Sequence, residues 1–311
     1  RTERKRFESE LKEHFGAKHC FLVSSGKAAF TLILLALKEL SPDRPAVLIP
    51  AFTCFSVPSS IVRAGLKVRL CDLDPDRLDF DFTQLSTLHS SREVLAVVPT
   101  HLFGFPADVA RLRDSVRNPE IAVVEDAAQA MGETIGGTKV GTLGDVGFFS
   151  LGRGKPFSVV EGGIILTNRD DVASVLKGLV DRLPRYGLLS LLGVIARAVA
   201  LAVLVRPRFF WLPRSMPFLR LGETIFDPGF RMLRMSSFQA GLARNWRERL
   251  ERMRQTRKTM AGEWVAILEA GRIQGSRLAK RPLPGLLRFP LRIGDSEKRA
   301  NLLREGAAGG L

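Results

Sequence analysis

Short apolar runs alternate with helical stretches over the first 170 residues of the chain. The apolar, β-rich runs predict strands at 17–23, 45–50, 67–71, 94–99, 121–125 and 162–167. Helical patterns fall between them at 28–40 and 56–64. Because several strands are almost entirely apolar, we expect a sheet that helices cover on both faces, with ligands beyond the carboxyl ends of its strands.

The segment 187–205 is strongly apolar, and Arg197 is its single charged residue. Its 19 residues approach the length of a membrane-spanning helix. Four arginines flank it: Arg182, Arg185, Arg206 and Arg208. On a helix, a small or polar stripe would form from Ser190, Gly193, Arg197 and Ala200. Three interpretations stay open: a helix lying in a membrane interface, a buried helix with one arginine reaching the surface, and a helix packed against a partner subunit; a true span fits least well.

Composition is that of a globular chain with an excess of basic residues. The 311 residues are 45% hydrophobic and 25% charged, which excludes disorder and a fibrous repeat. The net charge is +15, and 13 basic against 4 acidic residues lie in 206–258. Such charge favours anionic partners. The pattern at 245–258 predicts an exposed basic helix, but Trp246 is its only aromatic residue, so nucleic-acid binding is not expected.

The three cysteines lack C-x-x-C spacing and the four histidines lack ligand spacing, so neither a disulfide framework nor a structural zinc site is expected. No secretory signal is visible, and the cysteine usage fits a reducing cytoplasm. Because the chain begins with Arg1 and ends in a glycine-rich stretch at 306–311, we expect that both ends are cut from a longer protein.

Three stretches carry residues suited to one site. Residues 24–30 (Ser-Ser-Gly-Lys-Ala-Ala-Phe) place small residues where a helix starts, and backbone N–H groups there bind phosphate. Asp126 follows an apolar strand, so its carboxylate needs a cationic or hydrogen-bonding partner. Lys155 lies among glycines and apolar residues, where a partly desolvated lysine near other cations becomes a usable amine nucleophile. Taken singly, Lys155 could be a surface lysine and Asp126 a helix cap, but together they provide what pyridoxal phosphate requires.

The order and spacing of the motifs resemble the DegT/DnrJ/StrS sugar aminotransferases of fold type I. The matching motifs are Ser-Gly-x-Ala-Ala, Pro-x-Phe-Thr, Thr-His-Leu-Phe-Gly-x-Pro-Ala-Asp, Glu-Asp-Ala-Ala-Gln-Ala, Phe-Ser-x-x-x-x-Lys, Glu-Gly-Gly and Arg-Met-Ser-x-x-Gln-Ala, spread over residues 7–300. The resemblance implies an α/β fold: a three-layer α/β/α large domain with a mostly parallel sheet at 1–235, including the apolar insertion at 187–205. It also implies a small α+β C-terminal domain, only partly present at 236–311.

Site residues follow from the resemblance position by position. Lys155 matches the family's Schiff-base lysine, which also moves the proton between substrate and cofactor, and Asp126 matches the partner of the pyridinium nitrogen. Gln129 matches a residue near the cofactor's phenolic oxygen. Phosphate-contacting positions are matched by Ser25, Gly26 and Ser150. His101 lies in a family motif and receives no chemical role.

Three positions depart from the family pattern. Lys27 replaces a common threonine, which removes a hydroxyl donor and brings a positive charge toward the phosphate. Cys54 replaces an aromatic residue that often stacks on the cofactor ring, so stacking is weakened or moved to a neighbour. Met232 aligns with the asparagine that the adjoining subunit lends to the phosphate. Cofactor binding is still expected, and Lys27 and Cys54 are counted among its residues.

The function that the resemblance implies is transfer of an amino group, with glutamate as the expected donor, onto a nucleotide-linked keto sugar for polysaccharide, lipopolysaccharide or glycan synthesis. A homodimer is expected, in the cytoplasm and with a possible membrane-surface contact through 187–205. The alternative is a non-catalytic or membrane-associated binding or regulatory member of the same fold, which Met232, Cys54 and the insertion favour. Family members that dehydrate sugars carry histidine in place of lysine, so Lys155 argues against dehydration.

Overall fold

Eleven strands are present in the computed structural model, which describes residues 2–88, 92–204, 206, 208–209, 224–270 and 283–308. They are β1 (His19–Val23), β2 (Ala46–Pro50), β3 (Lys67–Cys71), β4 (Leu73–Asp74), β5 (Asp79–Phe80), β6 (Val94–Val97), β7 (Ala122–Asp126), β8 (Thr134–Ile135), β9 (Thr138–Lys139), β10 (Val146–Ser150) and β11 (Gly163–Thr167). Seven of them form one sheet in the order β1-β11-β10-β7-β6-β2-β3, and β4–β5 and β8–β9 form two small hairpins. The six predicted strands are all present in this sheet, with ends shifted by one or two residues.

Five neighbouring strands of the sheet run parallel, in the order β10-β7-β6-β2-β3. The strand β11 is antiparallel to both of its neighbours, β1 and β10. The predicted, mostly parallel sheet is therefore confirmed. Because parallel strands end at the same edge, β7 and β10 bring their carboxyl ends side by side, with Phe148 opposite Asp126.

The helices are α1 (Thr2–Phe15), α2 (Gly26–Leu40), α3 (Ser56–Arg63), α4 (Phe82–Leu88), α5 (Val109–Val116), α6 (Asp170–Arg182), α7 (Leu188–Leu204), α8 (Ser237–Leu242), α9 (Trp246–Ala270) and α10 (Ser296–Ala308). One face of the sheet packs against α2, α3 and α6. The other packs against α1, α8 and the start of α9 at one end, and against α4 and α5 at the other. This gives the predicted α/β/α arrangement of three layers.

The helix α9 is longer than the predicted basic helix and is not exposed along its whole length. Trp246 and Leu250 in its first turns are buried in the same cluster as Phe7 of α1 and Phe149 of β10. The expectation of an exposed helix is therefore wrong for these turns, because their apolar side chains cover one face of the sheet. The domain boundary at 235/236 stays a prediction, and residues 309–311 of the glycine-rich end lie outside the described residues.

The helix α7 covers most of the predicted apolar insertion, whose last residue, Val205, lies outside the described residues. Val194 is the only residue of α7 that is fully buried, whereas Leu188 and Leu189 are 74% and 84% exposed. The interpretation of a helix buried inside this chain is therefore wrong, since the described residues cover only one side of it. Among the described residues, no helix combines the length and apolar character needed to cross a membrane.

Candidate active site

Asp126 ends β7 at the edge of the sheet where the parallel strands terminate. Its side chain is buried, and this burial raises the pKa of Asp126, while the positive charge of Lys155 acts in the opposite direction. The Ala128 N–H donates to Oδ1 of Asp126 at 3.1 Å. Oδ2 of this carboxylate has no hydrogen-bond donor among the described residues.

Lys155 lies in the turn that joins β10 to β11, directly after Gly154, whose φ of 68° places it in the left-handed region. The next two residues, Pro156 and Phe157, are buried, and Lys155 itself is half-buried. Its charge lowers the pKa of Asp126. The structure therefore brings the predicted lysine and aspartate to the same edge of the sheet, with Asp126 at the end of β7 and Lys155 in the turn that follows the neighbouring strand β10.

Small residues close the start of α2 against the end of β10. Ser25 caps the helix, and its Oγ accepts a hydrogen bond from the Ala28 N–H at 3.1 Å. A Cβ atom on Gly26 would lie 2.7 Å from Cβ of Ser150, so only glycine allows this approach. Ser25, Gly26 and Ser150 are therefore neighbours at the start of a helix, a position that favours anions.

Lys27 lies in the first turn of α2, and its ammonium group contacts the segment 227–230, which is distant in the sequence. Nζ lies 3.4 Å from Oδ2 of Asp227 and 4.5 Å from the ring centroid of Phe230. The 227–230 segment is also held by Arg63, which donates to the Pro228 carbonyl at 2.7 Å. The charge of Lys27 is thus partly neutralised here, and its role at the phosphate stays a prediction.

Gln129 supports a strained loop. Its Oε1 accepts a hydrogen bond from the Phe103 N–H at 3.2 Å, and Phe103 has a φ of 57°, in the left-handed region. Nε2 of Gln129 donates no hydrogen bond to the described residues. This nitrogen can therefore donate to a ligand, in keeping with the predicted role.

Cys54 is half-buried, and its Sγ accepts a hydrogen bond from the Ser56 hydroxyl at 3.1 Å. The neighbouring aromatic residues, Phe52 and Phe55, are exposed. The hydroxyl groups of Thr53 and Thr100 are buried and have no hydrogen-bond partner in the part of the chain that the structure describes. Because buried hydroxyls are normally paired, these two mark a place where a polar ligand would supply the missing partners.

Glu125 is a buried anchor that the sequence did not single out. Its Oε1 accepts from the N–H groups of Leu143 and Gly144, both at 2.6 Å. Its Oε2 accepts from the Gly141 N–H at 2.8 Å and lies 3.0 Å from Nε2 of His101. The Glu125 carboxylate thus ties the loop before β10 to the motif at 100–108. A glutamate in a buried strand was the available signal, since such a charge needs several donors.

His101 has a defined orientation between two elements. The Ala107 N–H donates to Nδ1 of His101 at 2.9 Å, so Nδ1 carries no proton. The proton is therefore assigned to Nε2, which donates to Glu125. His101 is completely buried and acts structurally, holding the loop that follows Thr100 against the end of β7.

Glu161, of the Glu-Gly-Gly motif, joins the lysine loop to the helix α7. Its Oε1 accepts a hydrogen bond from the Tyr186 hydroxyl at 2.7 Å, and its Oε2 accepts from Nη2 of Arg197 at 3.0 Å. Gln239 donates through Nε2 to the Glu161 carbonyl at 2.9 Å. The single charged residue of α7 is thus paired.

Met232 is partly buried and packs against the core cluster that includes residues of α2.

The family model for the DegT/DnrJ/EryC1/StrS aminotransferases matches residues 2–310. GDP-perosamine synthase of Caulobacter vibrioides is 33% identical over 171 residues, which are 55% of this chain and 45% of that protein. The spore coat polysaccharide biosynthesis protein SpsC of Bacillus subtilis is 29% identical over 258 residues, 83% of this chain and 59% of that protein. The chain thus matches about half the length of these relatives.

Solved structures share the fold. The sugar aminotransferase CalS13 from Micromonospora echinospora superposes with a TM-score of 0.74 at 23% identity, over 99% of this chain and 76% of that one. A GDP-4-keto-6-deoxymannose-3-dehydratase mutant with bound GDP-perosamine gives 0.74 at 19% identity, over 100% and 77%. The predicted fold type I architecture is confirmed by these neighbours. The chain belongs to the DegT/DnrJ/EryC1/StrS aminotransferase family.

Proposed function

We propose that the protein is a pyridoxal phosphate-dependent aminotransferase that moves an amino group, with glutamate as donor, to a keto sugar linked to a nucleotide. The observation that carries the proposal is the buried carboxylate of Asp126: the positive charge of Lys155 stabilises its ionised form, and Oδ2 has no hydrogen-bond donor among the described residues. A carboxylate buried in this way requires a cationic partner. The protonated ring nitrogen of pyridoxal phosphate is such a partner.

The residues around Asp126 also fit the rest of the cofactor. The close approach of Gly26 to Ser150 leaves the start of α2 free of side-chain bulk, which suits a phosphate group. The unpaired hydroxyls of Thr53 and Thr100 are further polar groups for a ligand. The residues proposed to bind the cofactor are Ser25, Gly26, Lys27, Cys54, Asp126, Gln129, Ser150 and Lys155.

Asp126 and Lys155 have separate tasks in the proposed amino transfer. When bound, pyridoxal phosphate supplies an aldehyde that takes up the amino group and a ring that withdraws electrons from the bond being broken. Asp126 holds the proton on the ring nitrogen. The amine of Lys155 would take the proton from the substrate carbon and deliver it to the cofactor carbon, acting first as base and then as acid. Glu125 and His101 keep the end of β7 in place beneath Asp126.

The substrate class rests on the names of the relatives and on charge. GDP-perosamine synthase and SpsC are named for nucleotide-sugar and polysaccharide synthesis. The net charge of +15 favours a substrate that carries a diphosphate. Family members that dehydrate sugars carry histidine at the position of Lys155. The lysine of this chain therefore supports amino transfer rather than dehydration.

The proposal extends to assembly and location. A homodimer is proposed because two subunits share each active site in the fold type I enzymes that this chain resembles. A cytoplasmic location is proposed, together with contact between residues 187–205 and a membrane surface, which the exposed apolar side chains of α7 support. A large cofactor domain at 1–235 and a smaller C-terminal domain at 236–311 complete it.

The test of the proposed function uses the full chain purified with pyridoxal phosphate. We expect a visible absorption band that glutamate bleaches, and borohydride reduction followed by peptide mass spectrometry that finds the cofactor mass on Lys155. The transfer is tested directly by incubating the protein with glutamate and GDP-linked 4-keto-6-deoxymannose. The aminated nucleotide sugar is then detected by its mass.

The matched variants are Lys155→Ala and Lys177→Ala, the second on the exposed surface of α6. Lys155→Ala is expected to abolish the glutamate-sensitive band, while Lys177→Ala retains it. A wild-type protein that binds no cofactor would overturn the proposal in favour of a non-catalytic member of the fold. Binding without bleaching by glutamate or transfer to the sugar would overturn the assigned reaction alone.

A further inference from the structure

The helix α7 is fixed to the protein along one side only. On that side Val194 is buried, the Ser190 hydroxyl accepts from Nη1 of Arg231 at 3.3 Å, and Arg197 is paired with Glu161. The opposite side exposes five large apolar side chains: Leu188, Leu189, Leu192, Val199 and Val203. Contacts from Ser190 to Arg197 therefore fix which side of α7 faces the protein and which side is exposed.

The exposed apolar residues form one continuous stripe. At 100° per residue, Leu188, Leu192, Val199 and Val203 lie within an arc of about 60° on the helix surface. The 17 residues of α7 extend the stripe over about 25 Å. Exposed apolar patches of this kind mark surfaces that contact a membrane or another protein.

The charge around the stripe has a single sign. From Arg182 to Phe209 the sequence contains five arginines and no acidic residue. Four of these arginines are exposed and form no side-chain hydrogen bond or ion pair within the described residues: Arg182, Arg185, Arg206 and Arg208. Two acidic groups beside this segment are already paired, Glu161 with Arg197 and Asp181 with Arg234.

We infer that α7 docks on an anionic lipid surface, with its apolar stripe among the acyl chains and the arginines at its two ends on the headgroup phosphates. This inference rests on the proposed membrane contact and is independent of the proposed chemistry. An apolar helix face bordered by basic residues binds in the interface of anionic membranes.

A second copy of the chain is a poorer occupant of the same surface. A two-fold interface places the same patch on both subunits. Whether two α7 helices then run parallel or antiparallel, the arginines at the ends of one helix meet arginines of the other. Anionic lipid instead supplies the opposite charge at both ends.

The test is flotation of the purified full chain with lipid vesicles, without added cofactor or substrates. We expect binding to vesicles of phosphatidylcholine mixed with phosphatidylglycerol and little binding to phosphatidylcholine alone. The variant Leu188→Glu/Leu192→Glu/Val199→Glu is expected to lose binding. Its control, Leu302→Glu/Leu303→Glu, changes exposed leucines on α10 and is expected to bind like the wild type.

A second pair of variants tests the charges. Arg185→Gln/Arg208→Gln is expected to weaken binding to the anionic vesicles by about fivefold for each arginine removed. Arg252→Gln/Arg299→Gln removes two exposed arginines from α9 and α10 and is expected to have little effect. Thermal unfolding of every variant establishes that it is folded.

The outcomes separate the possible failures. Equal binding to both vesicle types would overturn the anionic selectivity and leave the membrane contact standing. Absence of binding to either type would overturn both. A change of molecular mass in solution for the α7 glutamate variant, without lipid, would show that a second copy covers the stripe. The absorption band of the cofactor is read separately, so none of these results bears on the proposed reaction.

Discussion

The guanidinium of Arg197 donates to Oε2 of Glu161 at 3.0 Å, and this contact joins α7 to the loop that follows Lys155. The other oxygen of Glu161 accepts from Tyr186, and this hydrogen bond contributes, after burial, to the raised pKa of the Tyr186 hydroxyl. A charged residue in the middle of an apolar helix therefore has a positioning role. It holds one side of α7 against the protein and leaves the apolar side exposed.

Arg197→Met is expected to loosen α7 while the sheet stays folded. The ion pair is partly exposed, so its loss should cost about 0.5–1 kcal/mol. Hydrogen exchange measured by mass spectrometry should become faster in peptides from 188–204. Arg292→Met breaks a similarly exposed pair with Asp76 and serves as control. Unchanged exchange in 188–204 of Arg197→Met would show that the apolar contacts alone hold the helix.

Glu125→Gln and Asp126→Asn are expected to change stability in opposite directions, although the residues are adjacent. Glu125 accepts from four donors, so an amide nitrogen in its place would face an N–H group and cost about 1–3 kcal/mol. Burial raises the pKa of Asp126, which means that its surroundings destabilise the charged form. Without cofactor, Asp126→Asn should therefore be at least as stable as the wild type.

The same two variants separate structure from function. Asp126→Asn should weaken pyridoxal phosphate binding by about 10- to 100-fold, since a charge-assisted hydrogen bond is lost. Urea unfolding of the cofactor-free proteins and absorbance titration with the cofactor provide the two measurements. An Asp126→Asn protein that is destabilised, yet binds the cofactor normally, would assign Asp126 a purely structural role.

Gly26→Ala is expected to disturb the junction of α2 and β10. The added Cβ would lie 2.7 Å from Cβ of Ser150, and relieving this contact should cost about 1–3 kcal/mol. Gly178→Ala, in α6, meets no atom within 4 Å and should be neutral or stabilising. The measurement is urea unfolding, and the double variant Gly26→Ala/Ser150→Gly should recover part of the loss. Equal stability of both single variants would contradict the close approach.

The sequence predicts the sheet and the elements of the site, because both depend on local patterns. Apolar runs mark the six predicted strands, and Asp126 is found at the end of β7, where the pattern placed it. Small residues at 24–26 predict the start of α2. These features need only nearest neighbours along the chain and the rule that ligands bind at strand ends.

Long-range pairing is what the sequence does not show. The ammonium of Lys27 is held by Asp227, 200 residues away, and Arg197 is held by Glu161. Glu125 collects its donors from the loop at 141–144 and from His101. None of these partners shares a helix turn or a strand pair with the residue that it binds, so periodicity carries no signal for them.

His14 is expected to make stability depend on pH. Burial between Phe15 and Trp246, followed by the charges of Lys139 and Arg247, lowers the pKa of His14 to about 4. The unfolded chain, with an ordinary pKa near 6.5, therefore binds a proton between pH 6.5 and 4 that the folded protein does not. The contribution is complete above pH 6.5, falls as the pH falls through this window, and is lost below about pH 4.

The expected loss from this residue is about 1–2 kcal/mol, after allowance for its partial exposure to solvent. Urea unfolding at pH 7, 6, 5 and about 4 compares the wild type with His14→Gln. Loss of the ring packing lowers the stability of His14→Gln at every pH, so the informative quantity is the difference between the two proteins. That difference should shrink as the pH falls, because only the wild type loses the contribution of a neutral histidine. A constant difference across the range would show that His14 titrates alike in the folded and unfolded states.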